Sequence, residues 1–223
     1  LQAVAAQLEI VLISSLFERR THGLYHNTVV VFDADGSSLG MYRKMHIPDD
    51  PHYYEKFYFA PGDLGFRSFA TRCGRIGVGI CWDQWYPEAA RLMALHGAEI
   101  LFYPTAIGSE PGDPTYDSSN HWQNAMRGHA AANIMPLAAS NRVGREVAPD
   151  GRADTFYGRS FIADCHGEKL TEMDRVEEGV RLQSFDLAAI GELRRTWGVF
   201  RDRRPELYGS LLTIDGKLRF SAT

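Results

Sequence analysis

The stretch that decides the fold covers residues 75–104 and reads RIGVGICWDQWYPEAARLMALHGAEILFYP. Its first apolar strand ends directly at Cys81. Pro87 then opens a helix that Gly97 closes, because proline is favoured in the first helical turn and glycine just past the last. A second apolar strand follows over residues 99–104. This order predicts a parallel β-α-β unit of an α/β domain, in which ligand-binding groups gather at the carboxyl ends of the strands.

The rest of the chain alternates between strand and helix patterns. Asp35-Gly36 lies between two apolar runs and predicts a hairpin, in which both turn positions need positive φ. Residues 47–65 are rich in Pro, Tyr, Asp and Gly, which predicts a long functional loop. Helices are predicted over residues 119–133 and 187–195. Further strands are expected over residues 10–16, 27–33, 39–46, 66–71, 136–140, 160–164, 169–171 and 181–186.

Composition is that of an ordinary globular protein. Of the 223 residues, 44% are hydrophobic, and the net charge of -4 argues against the basic face that nucleic-acid binding needs. The sequence has no apolar run of the roughly 20 residues that span a bilayer. We therefore expect one compact domain over residues 1–223, in a cytoplasmic protein without a nucleic-acid or membrane partner.

Cysteine and histidine spacing gives no metal motif. Cys73, Cys81 and Cys165 are an odd number without Cys-x-x-Cys spacing, so neither a disulfide framework nor a zinc site is predicted. An important cysteine here acts as a free thiol. His46, His121 and His129 also lack metal spacing and are expected to be structural or to line a pocket.

Cys81 is the first candidate for chemistry. A thiol becomes a good nucleophile when its surroundings stabilise the thiolate, and a helix N-terminus does so. The chain places Cys81 just ahead of such a terminus. The alternative is a small buried residue that closes a core strand. That alternative does not explain the polar and aromatic run at residues 82–85.

Three charged residues could assist this thiol or its substrate. Lys44 and the backbone N–H of Trp82 could hold the negative oxygen that forms when a thiolate attacks a carbonyl, or Lys44 could be an exposed strand-edge lysine. Glu55 is enclosed by aromatic residues, which suits proton handling, or it pairs with Lys56 at the surface. Glu110 could meet a cationic substrate group or cap a loop. Spacing alone does not decide between these readings.

Four motifs in order resemble the nitrilase superfamily of carbon–nitrogen hydrolases. They are YRKMHIPD at 42–49, YEKFYF at 54–59, GICWDQWYPE at 79–88 and YPTAIGSE at 103–110. The last two are most similar to the subgroup that hydrolyses N-carbamoylputrescine. The resemblance implies a four-layer α-β-β-α sandwich of the nitrilase type, homo-oligomeric assembly and no metal or organic cofactor.

The resemblance also implies a role for each candidate residue. Cys81 would be the nucleophile, Lys44 the catalytic lysine and Glu55 a supporting glutamate. The Trp82 amide would help to hold the oxyanion, and Glu110 would bind the far ammonium of an N-carbamoyl amine. The products would be putrescine, carbon dioxide and ammonia. Alternatives are a β-ureidopropionase-like or ω-amidase-like enzyme, or a non-catalytic binding protein.

The start of the chain departs from the superfamily pattern. Residues 1–9 resemble the second half of an amphipathic helix, and the general-base glutamate of the superfamily lies upstream of the first strand. We therefore expect an N-terminal strand-helix-strand portion to be absent, and with it that glutamate. Its loss would reduce the rate by about 10²–10⁴-fold. Glu18 resembles a different family position and is not assigned this role.

Overall fold

The computed structural model describes residues 1–217, except 111 and 114. Its α-helices are α1 (Gln2–Leu8), α2 (Pro87–Leu95), α3 (Ser119–Asn133) and α4 (Leu187–Trp197). Its strands are β1 (Leu12–Thr21), β2 (Leu24–Phe32), β3 (Ser38–Arg43), β4 (Ser68–Thr71), β5 (Gly74–Val78), β6 (Ile100–Thr105), β7 (Leu137–Asn141), β8 (Arg145–Val147), β9 (Ala153–Thr155), β10 (Phe161–Ala163) and β11 (Lys169–Glu172). No helix in this part of the chain is both long and apolar enough to span a bilayer.

The strands form two principal sheets. The larger sheet has the order β11-β10-β7-β6-β5-β4, with parallel pairing of β5 with β6 and of β6 with β7. Parallel neighbours need a crossover connection, and α2 and α3 supply these two crossovers. The predicted β-α-β unit is therefore confirmed. The smaller sheet is the antiparallel meander β1-β2-β3, and β8 and β9 form a separate hairpin.

The two sheets share one core. A Cβ added to Gly77 of β5 would lie 3.1 Å from Met93 of α2, so this residue faces the helix. Its neighbours Ile76 and Val78 face the opposite way, because side chains alternate along a strand. They belong to the same buried cluster as Val31 of the smaller sheet. Helices thus cover one face of the larger sheet, and the smaller sheet covers the other.

The α1 helix completes the layering. It packs against the β2–β3 turn, where a Cβ on Gly36 would lie 2.6 Å from the carbonyl oxygen of Gln2. Helices thus cover the outer face of the larger sheet, and α1 lies at the turn end of the smaller sheet. This confirms the predicted α/β, four-layer α-β-β-α sandwich.

The Asp35-Gly36 hairpin is confirmed, but its turn differs from the prediction. Gly36 has a φ of 82°, whereas Asp35 is not among the residues with positive φ. The Gly36 N–H donates to the Asp33 carbonyl at 2.8 Å, which closes a turn over four residues. A connection of this kind needs positive φ only at its last residue, where glycine has no steric cost.

Two other expectations about strands were wrong or incomplete. Residues 181–186 are not a strand, and Leu182 within them is 89% exposed. Their alternating sequence has no neighbouring strand to pair with, and a strand requires such a neighbour. β1 extends to Thr21 and pairs with β2 around Gly23, which makes a hairpin longer than the sequence indicated. The short β8–β9 hairpin was not predicted.

Candidate active site

Cys81 lies on a strained turn at the carboxyl end of β5. Its φ is 45°, a left-handed value that costs a non-glycine residue of the order of 1–3 kcal/mol. Two residues earlier, a Cβ on Gly79 would lie 2.7 Å from the ring of Tyr103, so only glycine allows β5 and β6 this approach. The backbone therefore turns sharply and leaves the thiol half-buried.

The helix that begins at Cys81 is a 3₁₀ helix over Cys81–Trp85, and α2 begins only at Pro87. The predicted helix N-terminus beside the thiol is thus that of the 3₁₀ helix. Trp82 is its second residue, and the first amides of a helix have no acceptor within it. The Trp82 N–H is therefore available for a group that lies beside the thiol.

Lys44 and Glu55 form a buried ion pair. The Lys44 side chain is fully buried, and its Nζ donates to Glu55 Oε1 at 2.7 Å and to Oε2 at 2.8 Å. Asn27 Nδ2 makes a longer contact to the same carboxylate, at 3.4 Å. A buried ammonium needs such a partner, because its desolvation is otherwise very costly. The alternatives of an exposed Lys44 and a Glu55–Lys56 pair are therefore wrong.

The ammonium of Lys44 is close enough to Cys81 to influence its ionisation. Burial raises the pKa of the Cys81 thiol above its ordinary value, whereas the positive charge of Lys44 lowers it. The carboxylate of Glu55 acts in the same direction as burial. Cys81 Sγ lies 3.9 Å from the carbonyl oxygen of Ala106. The three predicted catalytic residues thus lie together, although their chain positions span 37 residues.

A cavity of about 620 Å³ opens beside Cys81 and Glu55. Trp82 and Glu110, the two residues predicted to bind the substrate, also line this cavity. Its other carboxylates are those of Asp50 and Asp113. Aromatic side chains form much of the remaining wall, namely Tyr53, Trp82, Trp85, Tyr116 and His121. Such a cavity combines an apolar passage with several anionic groups, which suits an elongated cation.

Glu110 is held in a defined position. Ser118 Oγ donates to Glu110 Oε1 at 2.6 Å, and the Glu110 side chain is half-buried. Ser118 immediately precedes α3. The alternative role of Glu110 as a loop cap therefore has one supporting contact, but the carboxylate still faces the cavity that contains Cys81.

Gln84 is a site residue that sequence reasoning cited only as part of a polar run. It is fully buried and lines the cavity. Its Oε1 accepts from Trp122 Nε1 at 2.7 Å and from Thr105 Oγ1 at 3.0 Å. An indole N–H can only donate, so this contact fixes which end of the amide is oxygen. Its Nε2 has no hydrogen-bond partner among the described residues.

The remaining candidates are structural or line the cavity. His129 is buried against Tyr103, and burial lowers its pKa to about 4. His46 contacts Asp83, and His121 lines the cavity. Glu18 pairs with Arg43 at 2.6 Å and does not line the cavity. Within the described residues no group of His, Cys, Asp and Glu could hold a metal ion.

A half-buried thiol beside a lysine–glutamate pair, set in an α-β-β-α sandwich, defines the class of thiol-dependent hydrolases that act on carbon–nitrogen bonds. The model of the carbon-nitrogen hydrolase family matches residues 1–195. This chain belongs to the carbon-nitrogen hydrolase family, and it is an amidohydrolase of the nitrilase superfamily. The resemblance found in the sequence is confirmed.

Three known proteins illustrate the similarity. N-carbamoylputrescine amidase from Arabidopsis thaliana is 55% identical over 221 residues, which are 98% of this chain and 74% of that protein. Citrullinase from Francisella tularensis is 54% identical, over 94% of this chain and 72% of that protein. The crystal structure of a carbon-nitrogen hydrolase from Helicobacter pylori G27 has a TM-score of 0.88 and 50% identity, over 96% and 74% of the two chains.

Proposed function

We propose that this enzyme hydrolyses N-carbamoylputrescine to putrescine, carbon dioxide and ammonia, with Cys81 as the nucleophile. The observation that carries the proposal is the charge of the cavity beside Cys81. Four carboxylates line it, those of Asp50, Glu55, Glu110 and Asp113. Among the described residues that line it there is no lysine or arginine, although Lys44 pairs with Glu55 and Arg142 lines an adjoining cavity at Cys81 and Glu55. A substrate with a cationic tail and no carboxylate fits this lining.

The two ends of the substrate would meet different groups. The ureido end would lie at Cys81, and the tetramethylene chain would run between aromatic walls such as Trp82 and Tyr116. The far ammonium would reach Glu110, which Ser118 holds in place. An ammonium over aromatic faces gains a further ~0.5–2 kcal/mol from cation–π attraction.

In the first step, the Cys81 thiolate attacks the carbamoyl carbon and forms a tetrahedral intermediate. Lys44 Nζ and the Trp82 N–H would donate hydrogen bonds to its negative oxygen. Stabilisation of this oxyanion is usually the largest single contribution to lowering the activation barrier of acyl transfer. Glu55 would keep the ammonium of Lys44 at this place. Collapse of the intermediate expels one nitrogen, which takes up the proton that the Cys81 thiol gave up and leaves as an amine or ammonia, and the carbonyl carbon remains bonded to sulfur.

Water then attacks the carbonyl carbon of this thiocarbamate, the carbon–sulfur bond breaks, and a proton from the water restores the Cys81 thiol. The released carbamate breaks down to carbon dioxide and the second amine. One water molecule is thus consumed for each carbamoyl group, and no oxidant or reductant is needed.

Citrulline is the second candidate, because the citrullinase from Francisella tularensis is 54% identical to this chain. Citrulline ends in the same ureido group but carries an α-carboxylate beside its α-ammonium. Placing that carboxylate among Glu110, Asp113 and Asp50 would be unfavourable without a positive partner. Two neutral donors, Gln84 Nε2 and Trp85 Nε1, lack partners among the described residues and could reduce this cost only in part.

The test is ammonia release from N-carbamoylputrescine, citrulline and β-ureidopropionate, measured on this chain and its Cys81→Ala variant. We expect kcat/KM to be highest for N-carbamoylputrescine, and Cys81→Ala to abolish turnover. Preference for citrulline or β-ureidopropionate would overturn the substrate assignment. Full turnover by Cys81→Ala would overturn the nucleophile.

The expectation of an upstream general base is tested in the same assay. A second protein would carry the upstream segment of the Arabidopsis thaliana relative ahead of Leu1. If the expectation holds, the added segment increases kcat by about 10²-fold or more. An unchanged kcat would contradict it, and a protein that binds but never hydrolyses these compounds would favour the binding-protein alternative.

A further inference from the structure

Asp83 is a buried carboxylate at the junction between the smaller sheet and the Cys81 turn. Its side chain is 0% exposed. Asp83 Oδ2 accepts from Tyr42 Oη at 2.8 Å and from the Ile80 N–H at 3.0 Å. Asp83 Oδ1 accepts from the His46 N–H at 3.0 Å and from His46 Nδ1 at 2.7 Å. Two of its partners thus come from the β3 end, and one from the residue before Cys81.

This arrangement is costly for stability alone. A carboxylate taken out of water loses several kcal/mol of solvation, and four donors recover only part of that loss. Apolar residues of similar volume are often at least as stabilising in such a place. The gain from a carboxylate is geometric, because its two oxygens can hold several donors at fixed positions at once.

Two of the residues that donate to Asp83 lie on either side of Lys44 in the chain. Tyr42 lies two residues before Lys44, near the end of β3, and His46 lies two residues after it, so Asp83 holds the chain on either side of Lys44. The His46 ring also stacks on Tyr86, with ring centroids 3.5 Å apart and an interplanar angle of 5°. The backbone that carries Lys44 is therefore fixed on both sides to the segment that carries Cys81.

We propose that Asp83 is a positioning residue, which sets the place of the Lys44 ammonium relative to the Cys81 thiol. The proposal rests on the proposed function in one respect, that Lys44 stabilises the oxyanion. A shift of about 1 Å in a catalytic group can cost 10²-fold in rate. Asp83 touches neither the substrate nor the reacting atoms. Its charge also raises the pKa of the Cys81 thiol directly, whereas its positioning effect passes through Lys44.

The first experiment compares Asp83→Asn with Asp186→Asn. Both replace a carboxylate by an amide. Asp186 caps α4 by accepting from the Ala189 N–H at 2.9 Å and does not line the cavity, so its variant reports a loss of stability alone. For Asp83→Asn we expect kcat on N-carbamoylputrescine to fall about 10–10²-fold with KM within about 3-fold. For Asp186→Asn we expect both constants to be unchanged.

The second experiment is independent of the substrate and of the folding of Asp83→Asn. It uses Tyr42→Phe, which removes one donor without changing charge, in a Cys73→Ser background that eliminates the exposed thiol. The rate of Cys81 alkylation by iodoacetamide is measured against pH. We expect the midpoint to rise by about 0.5 pH unit, a fraction of the roughly 1–3 units that an adjacent charge produces. In a Lys44→Met background the same substitution should have no effect.

Two results would overturn the proposal. One is an unchanged kcat in a folded Asp83→Asn variant. The other is an effect of Tyr42→Phe on alkylation that persists without Lys44, since the tyrosine would then act on Cys81 by another route. If neither the wild-type chain nor the protein with the added upstream segment turned over N-carbamoylputrescine, the substrate assignment would fail, and the alkylation cycle would still decide the role of Asp83.

Discussion

At the residue scale, two adjacent cationic side chains at the end of β3 serve different purposes. Arg43 points away from the cavity to Glu18 and Asp63, with Nη distances of 2.6 and 2.7 Å. Hydrogen bonds from Arg43 and Arg20 lower the pKa of Asp63 to about 2. Lys44, the next residue, points the opposite way and is buried against Glu55. The end of β3 therefore gives a structural cation and the proposed catalytic one different acidic partners.

Replacing Lys44 by Met should raise the pKa of the Cys81 thiol. The lysine charge stabilises the thiolate, so its removal favours the protonated form, and burial already acts in that direction. We expect the midpoint of iodoacetamide alkylation to move up by about 1 pH unit or more. The control is Lys56→Met, an exposed lysine beside Glu55. A midpoint that stayed in place or fell for Lys44→Met would contradict the assignment.

Replacing Glu110 by Gln should weaken the binding of a cationic substrate. The amide keeps an oxygen that can accept from Ser118 but loses the charge that would face the ammonium. We expect KM for N-carbamoylputrescine to rise about 10-fold, equivalent to ~1.4 kcal/mol, with little change in kcat. N-butylurea, which lacks the ammonium, should be hydrolysed as before. Glu146→Gln, an exposed acid on β8, is the matched control, and equal losses on both substrates would refute the role of Glu110.

At the scale of elements, the Cys81 turn depends on a close approach between β5 and β6. Gly79 lies at the carboxyl end of β5, and its N–H donates to the Phe102 carbonyl at 3.0 Å. The ring of Tyr103 occupies the space that a side chain at Gly79 would need. The position of the thiol is therefore set by the packing of two strands as well as by its own backbone.

Gly79→Ala should destabilise the protein, whereas Gly191→Ala should stabilise it. The added methyl at position 79 would clash with a buried ring, and overpacking of this kind costs ~1–3 kcal/mol. Gly191 lies within α4 with no atom within 4 Å of an added Cβ, and alanine there gains roughly 0.5–1 kcal/mol. Urea unfolding monitored by circular dichroism measures both changes. Equal effects of the two substitutions would rule out the strand-approach argument.

At the scale of the whole molecule, the two sheets share a core, whereas most residues of the C-terminal segment, 197–217, are exposed. Large apolar side chains are exposed there, with Trp197 at 71% and Leu212 at 91%. Monomeric proteins rarely expose apolar surface in this quantity without a partner. We propose a second copy of this chain as the partner, as the superfamily resemblance implies.

Size-exclusion chromatography with light scattering tests this assembly. We expect a mass of at least twice the 25.0 kDa of one chain. Trp197→Ser should shift the mass towards the monomer, because it removes an exposed apolar anchor from the interface. Leu182→Ser, which changes an equally exposed residue outside the C-terminal segment, should leave the mass unchanged. A wild-type protein that stays monomeric at all concentrations would contradict the proposal.

Local signals predicted most elements of this fold. Pro87 and Gly97 bound α2 to within a residue or two, and the helix over residues 119–133 was predicted with its observed limits. The failures concern pairing. Residues 181–186 have a strand-like sequence but no neighbour, and the extent of β1 depends on its partner β2. Pairing is a contact between distant segments, so the periodicity of one segment does not determine it.

The sequence by itself determined the β-α-β unit, the position of Cys81 at the end of a strand and the family, because these depend on short motifs and local backbone preferences. The tertiary structure alone decided that Lys44 pairs with Glu55 rather than facing solvent. It also decided that the Asp83 carboxylate accepts four hydrogen bonds and that the Trp122 N–H fixes the orientation of the Gln84 side-chain amide. These are contacts between buried polar groups far apart in the chain. Each group must find a partner once water is excluded, and only the folded arrangement determines which partner is within reach.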